Sequence, residues 1–134
     1  MSPSDNERFS KLPSQTVRPL RSGGGSGLHD WAQQSGQRLI EVKLEGCTDK
    51  ASVLRVLAGA FEFPSWFGLN LDALYDALTD LPDQAPADGY VVLLDHLPRT
   101  EQFDSVQRDA LLDVFRDAAR SYAELKIPFR VLYT

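Results

Sequence analysis

Phe63-Pro64-Ser65-Trp66-Phe67-Gly68-Leu69-Asn70-Leu71-Asp72-Ala73-Leu74-Tyr75-Asp76-Ala77-Leu78 is the stretch on which the reading of this chain turns. Its first half predicts a loop. Pro64 disfavours helix at Phe63, and Gly68 offers the backbone freedom that a sharp turn needs. Its second half predicts a helix, because Asn70 is a good N-cap and Asp72 would sit at the positive end of the helix dipole. Leu71, Leu74, Tyr75 and Leu78 fall at i, i+3, i+4 and i+7, the spacing of a core-facing stripe. Asp72, Asp76 and Asp80 fall at i, i+4 and i+8, in one row on the other side. Each like-charge pair in such a row weakens an isolated helix by roughly 0.2–0.5 kcal/mol.

Taken alone, the row is a solvated face on an acidic protein. The approach loop points further. Adjacent aromatics such as Trp66 and Phe67 do not share one buried pocket in most local geometries, and Leu69 is apolar in a loop that must lie near the surface. Exposed aromatics beside charges of one sign read as a recognition surface.

The run Pro64-x-Trp66-Phe67-Gly68-x-Asn70-Leu71-Asp72-Ala73-Leu74-Tyr75-Asp76-x-Leu78-Thr79 resembles the signature of the barstar family, intracellular inhibitors of barnase-type ribonucleases. That family carries Pro-x-Tyr-Tyr-Gly-x-Asn-Leu-Asp-Ala-Leu-Trp-Asp at the corresponding place. Val114-Phe115-Arg116-Asp117-Ala118 is similar to the family's last helix, and the resemblance covers roughly residues 38–134. It implies a carboxylate-bearing helix that enters a nuclease cleft in place of RNA phosphate, with an aromatic loop over the mouth. Asp76 would meet the catalytic cations, with Asp72 beside it on the same helix. Trp66 and Phe67 match the paired tyrosines, Asn70 and Leu71 the loop-to-helix junction, and Asp117 a peripheral acid on the last helix. Gly68, Leu69, Ala73, Tyr75 and Asp80 complete the implied contact surface. Trp66-Phe67 replaces two tyrosines, Tyr75 and Leu81 stand where barstar has tryptophans, and Ser121 replaces a second acid. These departures point to a related but distinct nuclease.

Outward from this centre the chain alternates strand and helix. A strand is predicted at about 38–45, where Leu39, Ile40, Val42 and Leu44 are apolar. A helix follows from Asp49 to about Phe61, with Val53, Leu54, Leu57, Ala58 and Phe61 on one face. The central helix ends near Leu81-Pro82. The apolar run from Tyr90 to Leu94 reads as a buried parallel strand. From Phe103 to about Tyr122 a long helix turns Val106, Ala110, Leu111, Val114, Phe115 and Ala118 inward, and Phe129 to Tyr133 form the last strand. Three strands separated by helices predict an α/β fold with a small three-stranded parallel sheet, the barstar-like architecture. Residues 1–27 read as a disordered tail and linker dispensable for folding, with Ser22-Gly23-Gly24-Gly25-Ser26-Gly27 its most flexible part. A short helical extension anchored by Trp31 is expected over 28–37, ended by Gly36, and the barstar-like domain over 38–134.

Composition narrows the function. The 134 residues are 43% apolar and carry a net charge of −5, which divides into +1 over residues 1–37 and −6 over the rest. Nucleic-acid affinity comes largely from phosphate neutralisation, so a domain this acidic is expected to bind something basic instead. No apolar run approaches the ~20 residues that span a bilayer, and residues 1–20 lack the apolar core of a secretory leader. A cytoplasmic location is expected, which the lone Cys47, read as half-buried and inert, fits.

Enzyme motifs are missing: the sequence has no HExxH, CxxC, GxSxG or Walker pattern. The glycine run lacks a phosphate-loop pattern as well. His96, after the second strand, reads as a loop residue at the edge of a pocket, since adjacent Asp95 should point away and no nucleophile accompanies them. One carboxylate row on a convex helix suits neither a metal, which needs convergent ligands, nor a glycosidase, which needs facing acids. The expected function is therefore a non-enzymatic, cofactor-free, 1:1 inhibitor of a basic ribonuclease, with an immunity role. The alternative is the same fold binding a basic partner that is not a nuclease.

Overall fold

The computed structural model describes residues 9–20 and 27–134. Strand β1 (Gln15–Pro19) leads to helix α1 (Leu28–Gln34) and strand β2 (Arg38–Lys43). Three helices follow, α2 (Lys50–Phe61), α3 (Leu71–Thr79) and the single turn α4 (Leu81–Gln84). Strand β3 (Tyr90–Asp95), the long helix α5 (Ser105–Glu124) and strand β4 (Phe129–Tyr133) complete the chain.

The strands form one sheet in the order β1-β4-β3-β2, and every neighbouring pair is parallel. Parallel neighbours need crossovers, and crossovers are right-handed. From β2 through β3 to β4 the chain steps in one direction, so α2, α3 and α5 stack on one face. From β1 to β2 it steps the other way across the whole sheet. A right-handed connection then requires α1 on the opposite face, where it lies.

Two cores result. The larger packs Ile40, Val42, Val92, Leu94 and Val131 against Leu54, Leu57, Leu74, Leu78, Leu111 and Phe115. Within it Tyr122 stacks on Phe129 at 4.5 Å and meets Tyr90 edge-on at 5.6 Å. The smaller core packs Val91 and Leu132 against Phe9, Leu28, Trp31 and Ala32. Arg130 points into this second layer. Its guanidinium lies 5.4 Å from the Trp31 ring centre and reaches Gln37 Oε1 and the Leu12 carbonyl at 3.5 Å each. Burial draws its pKa down from the ordinary arginine value.

Local chemistry accounts for the helix ends. Asp49 accepts from the Ser52 amide while the Ser52 hydroxyl accepts from the Asp49 amide, a complete capping box on α2. Asp104 caps α5 by accepting from the Gln107 amide. Gly36, at φ 72°, follows α1 in a left-handed conformation that suits glycine.

Three expectations need correction. The sheet has four strands rather than three, because residues 15–19, inside the stretch read as a structureless tail, pair with β4 from Gln15↔Phe129 to Pro19↔Tyr133. Thr16, Val17 and Arg18 are too short a run to show a period, and only the partner strand reveals it. Phe9 is buried against Trp31 at 5.8 Å, and the Trp31 indole donates to Ser10 Oγ at 3.2 Å. Of the glycine run, residues 22–26 lie outside the described residues, as do 1–8 and 21. Val106, expected to face inward, is 71% exposed, because at the first turn of α5 it lies beyond the edge of the packed layer. Leu112, Ala119 and Tyr122 are buried on that helix instead.

The described part of the N-terminal segment therefore contributes to stability. Phe9→Ala removes a fully buried ring and should destabilise the fold by about 3 kcal/mol. Urea unfolding of the variant beside the parent chain measures it, and an unchanged midpoint would show that this segment is not integral.

Candidate protein-binding site

The stretch 63–80 forms a loop and helix on the α2/α3/α5 face. Phe63 stacks on Phe61 at 5.3 Å, and Phe67 tilts onto Phe63 at 4.9 Å. That chain of rings turns Phe67 inward and leaves its neighbour outside, so Trp66 is 82% exposed. Leu69 is exposed to a lesser degree. Gly68 owes its identity to close approach rather than to unusual backbone angles. A Cβ there would lie 3.0 Å from the side-chain Nδ2 of Asn70 and 3.6 Å from the Ala73 methyl. Asn70 caps α3 as expected, its Oδ1 accepting from the Ala73 amide at 2.8 Å.

α3 then presents three sides. Leu74 and Leu78 are fully buried, but Leu71 and Tyr75, expected beside them in the core, are only half-buried. They line a groove between α3 and α5 of about 650 Å³, together with Asp72, Asp76, Val114, Asp117 and Ser121. The stripe is divided because α5 packs beside α3, leaving its outer edge open. The carboxylate row is divided too. Asp72 and Asp76 face this groove, whereas Asp76 and Asp80 border a second depression, of about 380 Å³, beside the aromatic loop. Asp76 is common to both.

The groove brings together residues far apart in sequence, Asp72 and Asp76 on one wall with Asp117 on the other. Sequence reasoning missed Arg120 and Glu124, which also line it. Arg120 forms an ion pair with Asp117 one turn away, and Arg116 pairs with Asp113 at 2.8 Å. Spacing held the signal, since Glu124 stands seven residues after Asp117 and returns to the same face. Four carboxylates against one guanidinium leave the groove strongly negative.

The two walls are joined below the surface. Tyr122, on α5, donates its hydroxyl to the carbonyl of Leu78 on α3 at 2.6 Å. Burial pushes the Tyr122 pKa far above the ordinary tyrosine value, with the nearby Tyr90 and Asp80 adding to the rise.

Residues 37–134 match the barstar (barnase inhibitor) family. The chain belongs to the barstar family. No curated protein matches it. The family gives the fold class seen here and an inhibitor-type role with a barnase-type ribonuclease as the kind of partner. Strand β1 and helix α1 lie before the matched residues.

His96 sits apart from this surface. It lines neither of these two depressions. Its Nδ1 lies 3.0 Å from Asp95 Oδ1, so these neighbours do meet, aided by the left-handed φ of 60° at His96. The His96 amide donates to Thr134 Oγ1, which in turn donates to Asp95. These contacts tie the ends of β3 and β4 together. Among the described residues no group of His, Cys, Asp and Glu is placed to hold a metal, and no helix is long and apolar enough to cross a membrane.

The Tyr122 contact has a pH signature. A phenol whose pKa is raised on folding contributes stability that is intact below pH 10 and is lost as pH rises beyond it. For Tyr122 the loss approaches about 1.4 kcal/mol per pH unit. Tyr122→Phe should cost about 1 kcal/mol at pH 7 through the lost hydrogen bond. Its stability curve should meet that of the parent chain within about one pH unit above pH 10 and lie above it beyond that point, as followed by urea unfolding across pH. Parallel curves would show that Tyr122 ionises freely.

Proposed function

We propose that this chain is a stoichiometric 1:1 inhibitor of a basic, barnase-type ribonuclease, covering the enzyme's active site with α3 and the loop before it. The observation that carries this reading is the negative groove between α3 and α5, flanked by an outward-turned Trp66. A nuclease cleft that binds RNA phosphates presents guanidinium, ammonium and imidazole groups. Carboxylates spaced along a helix offer those groups the charge and acceptor geometry of phosphate oxygens, and arginine pairs with them bidentately. Asp76, bordering both depressions, would stand at the centre of the contact. Asp72 and Asp117 would flank it from the two walls. Leu71 and Tyr75 would supply apolar contact between the charges, and Trp66, Phe67, Gly68, Leu69, Asn70 and Ala73 would close over the rim. The chain performs no chemistry in this reading. It excludes substrate.

Complementary charge speeds encounter, and salt screens it over ~10 Å at 0.1 M. Association with the cognate nuclease, followed by stopped-flow fluorescence of Trp66, should slow sharply as salt rises while dissociation changes little. An association rate indifferent to salt would set the groove's charge aside.

Asp76→Ala should leave the fold intact, because surface substitutions usually change stability by no more than about 0.5 kcal/mol. It should weaken inhibition by about 3–5 kcal/mol, since it strands partner cations in a desolvated contact. Asp109→Ala, an exposed acid on α5 outside the groove, is the matched control. Asp104 is unsuitable because it caps α5. Ribonuclease assays with equimolar inhibitor compare the two. Equal losses would remove α3 as the inhibitory element, and a chain that binds a basic protein without silencing any nuclease would favour the interaction-module alternative.

A further inference from the structure

Among the described residues Arg120 is the one basic side chain lining the groove, in company with Asp72, Asp76, Asp117 and Glu124. Its Nη1 donates to Asp117 Oδ1 across one helical turn. Among the described residues Asp72, Asp76 and Glu124 form no ion pair. The order along α5 favours this choice of partner, since an acid on the N-terminal side of a base suits the helix dipole. Glu124, four residues after Arg120, lacks that advantage. Both members of the pair are open to water, and the Arg120 side chain is 75% exposed. An exposed pair of this kind is weak, so it can open without disturbing α5. Arg116 and Asp113 repeat the same spacing on the same helix, but neither lines the groove.

We propose that Arg120 is a specificity-determining residue, an internal occupant of Asp117 that a partner's cation has to displace; the nature of that partner rests on the inhibitor reading above. In the free chain the α5 wall offers Asp117 as a closed ion pair, and the open carboxylates at the centre of the site stand on the α3 wall, at Asp72 and Asp76. A surface with one or two cations is met by α3 alone, and Arg120 repels any further cation brought against α5. A cleft with closely set cations behaves differently. Once held by Asp72 and Asp76, it presents its remaining charge to Asp117 at high local concentration, and one of its cations takes the place of Arg120. Discrimination of this sort needs a repulsive element beside the attractive ones, and Arg120 supplies it.

The test titrates the full chain, isotope-labelled for NMR, with a capped hexa-arginine peptide at about 0.1 M salt. Arg120→Ala should bind the peptide about threefold tighter than the parent chain, the gain expected when one exposed ion pair no longer has to open. Arg116→Ala removes the same charge and a pair of the same spacing outside the groove, and should gain at most about 1.5-fold. Arg120 is exposed and alanine favours helix, so the variant should fold as the parent does. Arg120→Gln, which keeps most of the stem, repeats the measurement if it does not. In the parent chain the Arg120 Nε–H signal should move saturably as peptide is added, while that of Arg116 stays in place. Equal gains for the two alanine variants, no gain or a loss for Arg120→Ala, or an Arg120 signal that ignores bound peptide would each overturn the proposal. No nuclease enters these titrations. A parent chain that inhibits a ribonuclease but shows no Arg120 effect removes this role alone, whereas the expected Arg120 effect in a chain that inhibits no ribonuclease removes the inhibitor reading alone.

Discussion

One buried hydrogen bond, from Tyr122 to the Leu78 carbonyl, sets the relation between the two walls of the candidate site. α3 has only nine residues and starts from a loop. An isolated helix of that length is marginal in water, and its aspartate row weakens it further. Its position is therefore decided by what it packs on. Leu74 and Leu78 bury its inner side, and the Tyr122 hydroxyl fixes how far it slides along α5. Tyr122 is in turn held by its stack on Phe129 of β4 and its edge contact with Tyr90 of β3. The exposed acids of α3 are thus referenced through one phenol to the centre of the sheet. A partner with fixed cation spacing would meet carboxylates that need little rearrangement.

The same packing explains why a costly surface persists in a stable fold. Among the described residues neither Asp72 nor Asp76 forms an ion pair with a basic side chain, while Asp113 and Asp117 each have an arginine one turn away. Helix α5 balances its own charge. Helix α3 leaves its charge outward, beside aromatic surface that folding did not bury.

Much of this was legible in the sequence, for reasons that differ from element to element. β3 and β4 are central strands buried on both faces, so their apolar runs are continuous and need no partner to be recognised. α2 and α3 carry side-chain caps, and Asp49 and Asn70 mark their starts to the residue. β1 is different. It is an edge strand of five residues with one apolar position, Val17, turned into the larger core, and its identity comes from pairing with β4, more than a hundred residues later. The site divides in the same way. Asp72, Asp76 and Trp66 could be read from helical spacing and neighbouring aromatics. Which side of α3 each acid faces depended on where α5 lies. Arg120 and Glu124 entered the groove for that reason, and so did the split of the row into two depressions sharing Asp76.

The position of β1 also bears on solubility. Without it, β4 would be the border of the sheet, and Phe129-Arg130-Val131-Leu132-Tyr133 is a β-prone run buried along nearly its whole length. An unpaired strand of that composition is a template for adding strands from other copies of the chain. β1 replaces that border with Gln15, Thr16, Val17, Arg18 and Pro19, in which Arg18 and Pro19 are exposed and proline has no N–H to offer an incoming strand. The segment ahead of the family's matched residues thus works as a cover for the sheet's most adhesive strand.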